Sequence, residues 1–111
     1  MSEPTGRPAW QVTADVEGRP TDRACAHVGE AREVEPSTTE GCEDCLRTGG
    51  TWVHLRECLS CGHIGCCDSS PNRHAAAHAR AESGHDLARS FEPGEDWAWC
   101  YADQLLLLPV R

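Results

Sequence analysis

Apolar positions in this chain come in short bursts, and no single period is sustained for long. Residues 1–22 (MSEPTGRPAWQVTADVEGRPTD) carry three Pro and two Gly without periodicity, which predicts a mobile leader ahead of a domain spanning 23–111. Trp10 is the exception, an isolated aromatic that either packs onto the domain or stays solvated. Residues 28–41 (VGEAREVEPSTTEG) read as an irregular acidic connector. Beyond the turn at Gly49-Gly50, the stretch Trp52-Val53-His54-Leu55-Arg56 alternates like a short strand, with Trp52, His54 and Arg56 on one face. Ile64 to Cys67 reads as another strand. The polar cluster Asp68-Ser69-Ser70-Pro71-Asn72 announces an Ala-rich helix over about 72–82 that stops at Ser83-Gly84. A strand through Phe91, a turn at Glu92-Pro93-Gly94-Glu95 and a second strand follow, placing Trp97, Trp99 and Tyr101 on one face. Three aligned aromatics make either a core wall or a binding floor. Leu105 to Leu108 is a short buried strand or a helical turn. The sum is an α+β domain, an antiparallel sheet with one main helix.

Composition changes the picture because the apolar supply is thin. One Phe, one Met, one Ile and one Tyr stand beside four Trp in 111 residues. A domain this small with so few large side chains needs a metal or covalent staple. No apolar run follows a basic start in residues 1–20, so no secretory signal is expected. Nothing approaches the length of a membrane span, Leu105–Val110 being far too short. In the reducing cytoplasm that this implies, eight Cys and six His point to metal rather than disulfides. The formal charge is −8, from ten Arg, no Lys and eighteen acids. No basic face is clustered, which argues against nucleic acid as a partner. Without Lys, the chain offers no side chain for an isopeptide tag such as ubiquitin, so it would read such tags rather than carry them.

The chemistry concentrates between Cys42 and His85, which hold six of the cysteines and five of the histidines. Cys42-x-x-Cys45 and Cys58-x-x-Cys61 each present two thiolates from one tight turn, as tetrahedral zinc requires. Cys66-Cys67 follows, then His74, His78 and His85. His74 and His78 stand four apart and project from one face of the predicted helix. That helix has little apolar surface of its own, so ligation from two of its turns is what would fix it. His54 reads as a surface or stacking residue. Cys25-Ala26-His27 gains meaning only with further ligands elsewhere. Catalytic zinc would need an open coordination position and a neighbouring base, and the chain has neither H-E-x-x-H nor a deaminase signature; no enzyme activity is expected.

Cys-x-His, C-x-x-C, C-L-S-C-x4-C, H-x3-H, Gly-His and Trp-Cys-Tyr, in this order over about Cys25 to Asp103, resemble the UBP-type zinc finger, in its stand-alone prokaryotic form. The resemblance implies interleaved zinc sites. One ion takes Cys42, Cys45, Cys66 and His74; a second takes Cys58, Cys61, His78 and His85. A third takes Cys25, His27 and Cys100 with Asp103, where the family commonly has a second Cys. A carboxylate is an acceptable but harder ligand. Cys67 is left over, either in place of Cys66 or as the basis of a redox-responsive zinc switch. The His78-to-His85 step is one residue longer than the family's usual one. The family's known activity implies recognition of the free Gly-Gly C-terminus of ubiquitin, in which an Arg pairs with the carboxylate and aromatics sandwich the glycines. Trp99 and Tyr101 match those aromatics. At the pocket Arg position, however, stands Asp68, and Arg56 replaces the aromatic before the second C-x-x-C. Ordinary ubiquitin-tail binding is therefore expected to be weakened, with Arg56 or Arg73 supplying the charge for a protein or peptide C-terminus. The plainer alternative is a zinc-scaffolded protein-interaction module.

Overall fold

The leucine run ending the chain settles as a strand, because alternate side chains of an extended segment reach opposite faces. Leu105 and Leu107 are fully buried, whereas Leu106 and Leu108 turn to the other side. The computed structural model describes residues 10–110. Its strands are β1 (Trp10–Ala14), β2 (Leu55–Cys58), β3 (Ile64–Cys66), β4 (Leu87–Ser90), β5 (Ala98–Cys100) and β6 (Leu105–Pro109). Two helices, α1 (Glu43–Thr48) and α2 (His74–Ala81), and a 3-10 turn at Val28–Glu30 complete it. The strands form one antiparallel sheet in the order β1-β6-β5-β4-β2-β3. The α+β architecture with one main helix is the one the sequence predicts.

Two apolar clusters stabilise this sheet. Leu87, Ala98, Leu105 and Leu107 pack with Trp10, Leu59 and Cys100. The second cluster consists of Cys42, Cys45 and Cys66, with Trp52 and Leu55 against it. Helix α2 joins the sheet through small residues. Its Ala75, Ala76 and Ala79 are buried, and β3 meets it at Gly65, where a Cβ would fall 2.7 Å from the Ala75 nitrogen. That approach lets a helix without large apolar side chains carry His74 and His78 up to the strand cysteines.

Three expectations are corrected. The leader over 1–22 does not hold for its second half: Trp10–Ala14 pairs with β6 as the edge strand, and Trp10 lies in the main core. Residues 1–9 lie outside the described residues. The pairing joins residues nearly a chain length apart, such as Trp10 and Pro109, so no local period announces it. The second strand begins at Leu55 rather than Trp52: Leu55 is the first residue paired with β3, opposite Cys66, and its N–H is taken by the Glu92 carboxylate (2.8 Å) in place of a strand partner. Trp52 turns instead toward Gly41, where a Cβ would sit 2.3 Å from its ring. Helix α2 begins at His74, two residues late, since Arg73 takes a left-handed conformation (φ 49°) just before it. Helix α1 was not anticipated, although Glu43-Asp44 in its first turn and left-handed Gly49 at its end are ordinary start and stop signals.

Candidate metal centres and the adjoining cavity

Each cysteine pair reaches its partners through a defined local turn. Cys42 caps α1, its sulfur accepting the Cys45 N–H (3.4 Å), so one helical turn holds both thiols together. The end of β3 adds Cys66 and the first residue of α2 adds His74. His74 Nδ1 lies 3.3 Å from Cys42 Sγ, 3.4 Å from Cys45 Sγ and 3.5 Å from Cys66 Sγ. One turn along α2, His78 meets the second group: its Nε2 is 3.4 Å from Cys61 Sγ and 3.3 Å from His85 Nδ1, which is 3.4 Å from Cys58 Sγ. In the third, His27 Nδ1 is 2.9 Å from Asp103 Oδ2 and 3.6 Å from Cys100 Sγ, with Cys25 alongside. Within each group the donor atoms lie within 4.8 Å of one another.

These separations test the metal directly. Zinc bonds of about 2.3 Å to sulfur and about 2.0 Å to nitrogen, at tetrahedral angles, space their donors roughly 3.3–3.8 Å apart. The separations from His74, His78 and His85 to their neighbours, 3.3–3.5 Å, match in the first two groups, while in the third the His27–Cys100 separation matches and the His27–Asp103 one is tighter. Soft thiolates with imidazole are the donor set that zinc favours. The three groups fit two or three zinc ions, Cys42/Cys45/Cys66/His74 and Cys58/Cys61/His78/His85 as closed four-donor shells and Cys25/His27/Cys100/Asp103 as the harder one. All eight cysteines are free thiols.

Protonation fits the same role. Burial pushes Cys25 and Cys42 up to about 12 and Cys58 up to about 11, so in the metal-free chain these thiols keep their protons. Metal must displace those protons, which makes loading weaken as pH falls. Burial, helped by His63 and His85, lowers His78 and keeps it a neutral ligand. Hydrogen bonds from Cys25 and His27 hold Asp103 below the usual carboxylate range, already ionised for ligation. On the far side of the His27 ring, Asp86 lies 3.8 Å from Nε2, beyond hydrogen-bond distance, and adds negative charge there. Replacing Asp103 with Ala is expected to lower zinc content by one ion and leave the other two. Native mass spectrometry reads this, and an unchanged count would remove Asp103 from the ligand set.

A link between the first two centres escaped sequence reasoning. His63 Nε2 lies 2.8 Å from Asp44 Oδ2, on the helix between Cys42 and Cys45. The His63 ring stacks flat on His78, a ligand of the other centre, at 4.2 Å and 6°. Burial works against Asp44, yet His63 and Arg47 hold its carboxyl below the usual range. The only signal in the sequence was His63 two residues after a knuckle Cys.

Beside the metal centres, a cavity of about 490 Å³ opens on the face of Leu106 and Leu108. Trp97, Trp99 and Tyr101 line it with Arg56 and Asp68. Arg56 lies 4.6 Å over the Trp97 ring, and its Nη1 donates to the Leu55 carbonyl (2.9 Å). Burial, with Asp68 adding to it, raises the Tyr101 hydroxyl, which stays neutral. Arg73, expected as a second candidate for the charge, is exposed at the start of α2 and is not among the lining residues. Cys67 joins no metal group and lines this cavity instead. Burial raises its thiol, but the Ser70 hydroxyl, backbone groups of Ser69 and His54, and Arg56 outweigh it and bring the thiol below its ordinary value.

Closed shells of thiolate and imidazole, interleaved on one small sheet, define a zinc-finger domain. The chain belongs to the family described as Zn-finger in ubiquitin-hydrolases and other protein, whose model matches residues 42–107. Cys25 and His27 of the third group precede that stretch. Protein RPA1320 from Rhodopseudomonas palustris, solved in solution by NMR, is similar in structure with a TM-score of 0.68. It is 46% identical, over 79% of this chain and 84% of its own. No curated protein matches the chain.

Proposed function

We propose that this domain is a non-catalytic, cytoplasmic reader of a free polypeptide C-terminus. The observation that carries this reading is Arg56 held over Trp97 in a cavity walled by Trp99 and Tyr101. One guanidinium nitrogen is engaged by the Leu55 carbonyl, and the remaining donors of the fork suit a terminal carboxylate. Flat aromatic walls admit a thin backbone and exclude bulky side chains next to the carboxylate. The zinc ions are structural in this reading, because four protein donors close each of the first two shells and leave no position for a reacting water. No helix among the described residues is long and apolar enough to cross a membrane.

Asp68 sets the specificity. It lines the same cavity, at the position where the family's ubiquitin readers carry the carboxylate-pairing Arg, and disfavours an anion approaching from its side. The carboxylate is therefore received from the Arg56 side, and ubiquitin's own tail is bound weakly. Tryptophan fluorescence with Gly-Gly peptides tests the reading. Free acids are expected to bind and C-terminal amides not. Arg56→Ala should weaken the free acid by about tenfold or more, the loss of a charged hydrogen bond, whereas Arg73→Ala should change nothing. Equal binding of acid and amide would overturn it.

A further inference from the structure

Asp44 and His63 belong to none of the donor groups, yet each is built into a different one. Asp44 sits in the first turn of α1, between the ligands Cys42 and Cys45. His63 closes the knuckle of Cys58 and Cys61, where the Cys58 N–H donates to the His63 carbonyl (2.9 Å) and the Gly62 N–H to the Cys58 carbonyl (2.8 Å). The two side chains meet between the centres. His63 Nε2 donates to Asp44 Oδ2 at 2.8 Å, and Arg47 holds the other carboxylate oxygen at 2.9 Å. The His63 and Asp44 side chains are only 12% and 21% exposed, so water competes little for their bond.

We propose that Asp44 and His63 couple the first two metal centres, so that filling the Cys42 centre raises the zinc affinity of the Cys58 centre. His63 acts as a positioning residue for the ligand His78. A ligating imidazole is normally oriented by a hydrogen bond at its second ring nitrogen. His78 directs Nε2 to Cys61 and His85, and among the described residues no hydrogen bond holds its Nδ1. Besides its fellow ligand His85, which meets it edge-on, the contact left to set its ring angle is the flat stack on His63, at 4.2 Å and 6°. Zinc at Cys42 and Cys45 fixes the turn of α1 that carries Asp44; Asp44 fixes the His63 ring, and that ring fixes His78. By linkage the effect runs equally in reverse, from the second centre to the first. The centres are also joined through α2, which carries both His74 and His78. That connection survives substitution of Asp44 or His63, so the two routes are separable.

The test strips the full zinc-loaded chain stepwise with a chelator. The imidazole ¹⁵N resonances of His74 and His78 report the two centres separately. Asp44→Ala, a change beside the first centre, is expected to release zinc from His78 at about tenfold lower chelator strength, the loss typical of an outer-shell partner. His63→Ala should do the same. The double variant should lose no more at His78 than either single one, because both break one path. Asp44→Asn keeps an oxygen for the His63 N–H and should restore most of the retention. If His63→Ala does not fold with zinc, His63→Phe takes its place: the stack remains without the hydrogen bond, and retention at His78 should no longer respond to Asp44→Ala. Unchanged retention at His78 in Asp44→Ala, losses confined to His74, or additive losses in the double variant would each overturn the proposal.

Discussion

Chelating the metal is expected to unfold this chain, with loss of amide dispersion and of near-ultraviolet circular dichroism, and added zinc is expected to restore both. The physical reason is the make-up of the interior. Of its largest fully buried side chains, four are aliphatic (Ile64, Leu87, Leu105, Leu107) and four are cysteines (Cys42, Cys45, Cys66, Cys100). Burying four aliphatic groups contributes roughly 1.5–3 kcal/mol each, far less than the backbone entropy of a domain this size. Structural zinc supplies about 10–16 kcal/mol per site in small zinc-finger peptides near neutral pH. The metals also close separate parts of the chain onto each other: one joins α1 to β3 and α2, another joins the β2–β3 turn to α2 and His85. The centre containing Asp103 should empty first, because a carboxylate replaces a thiolate there. Acid should act like the chelator. Thiols that burial holds near 11 to 12 take their protons back as pH falls, so zinc is released on the acid side and stability with it. A chain that keeps its dispersion in excess chelator would show that the apolar clusters suffice by themselves.

Gly62→Ala is expected to be among the most damaging single substitutions, and Gly84→Ala provides its control. Both glycines have positive φ, +85° and +80°, so both lose the same conformational freedom, roughly 1–2 kcal/mol. They differ in space. A Cβ at Gly84 meets nothing within 4 Å, whereas one at Gly62 would stand 1.9 Å from the Glu35 carbonyl oxygen. That oxygen belongs to a segment clamped on both sides, by Arg32 N–H to the Leu59 carbonyl (2.9 Å) and Ser37 N–H to the Gly62 carbonyl (2.8 Å). Moving it away breaks those bonds at about 1 kcal/mol each and shifts Cys61, the adjacent zinc ligand. Gly62→Ala should therefore lose about 3–5 kcal/mol in all, a fall in Tm of more than about 10 °C, together with weaker zinc retention at the Cys58 centre. Gly84→Ala, with the conformational cost of about 1–2 kcal/mol alone, should fall by about half as much or less. Equal effects in the two variants would mean that the conformational cost, not the close approach to Glu35, is what matters at Gly62.

Much of the candidate site was legible from sequence because zinc ligation is local in its demands. A C-x-x-C turn holds two thiols whatever surrounds it, and His74 and His78 share a helix face by their spacing alone. Those facts are set by covalent geometry over three or four residues. The leucine run was ambiguous for the same reason in reverse. Four identical side chains carry no period, and only pairing with β5 and β1 makes Leu105 and Leu107 inward and Leu106 and Leu108 the rim of a cavity. Trp10 is a similar case, since burial of an isolated aromatic depends on a partner strand some hundred positions away.

The sequence by itself therefore pointed to zinc, to the C-x-x-C pairs and helix histidines able to bind it, and to the scarcity of apolar side chains that makes the metal necessary. Each of these follows from residue type and short spacing, whereas the division of the ligands into three groups was implied by the resemblance to the UBP-type zinc finger. Only the tertiary structure decided how the faces of the sheet are used. It sent Arg56 over Trp97 and left Arg73 outside, turned Cys67 away from the metal while Cys66 faced it, and buried the Glu57 carboxylate opposite Arg56. Neighbouring residues in a strand reach opposite faces, and which face becomes core, cavity or metal shell depends on what distant segments pack against it.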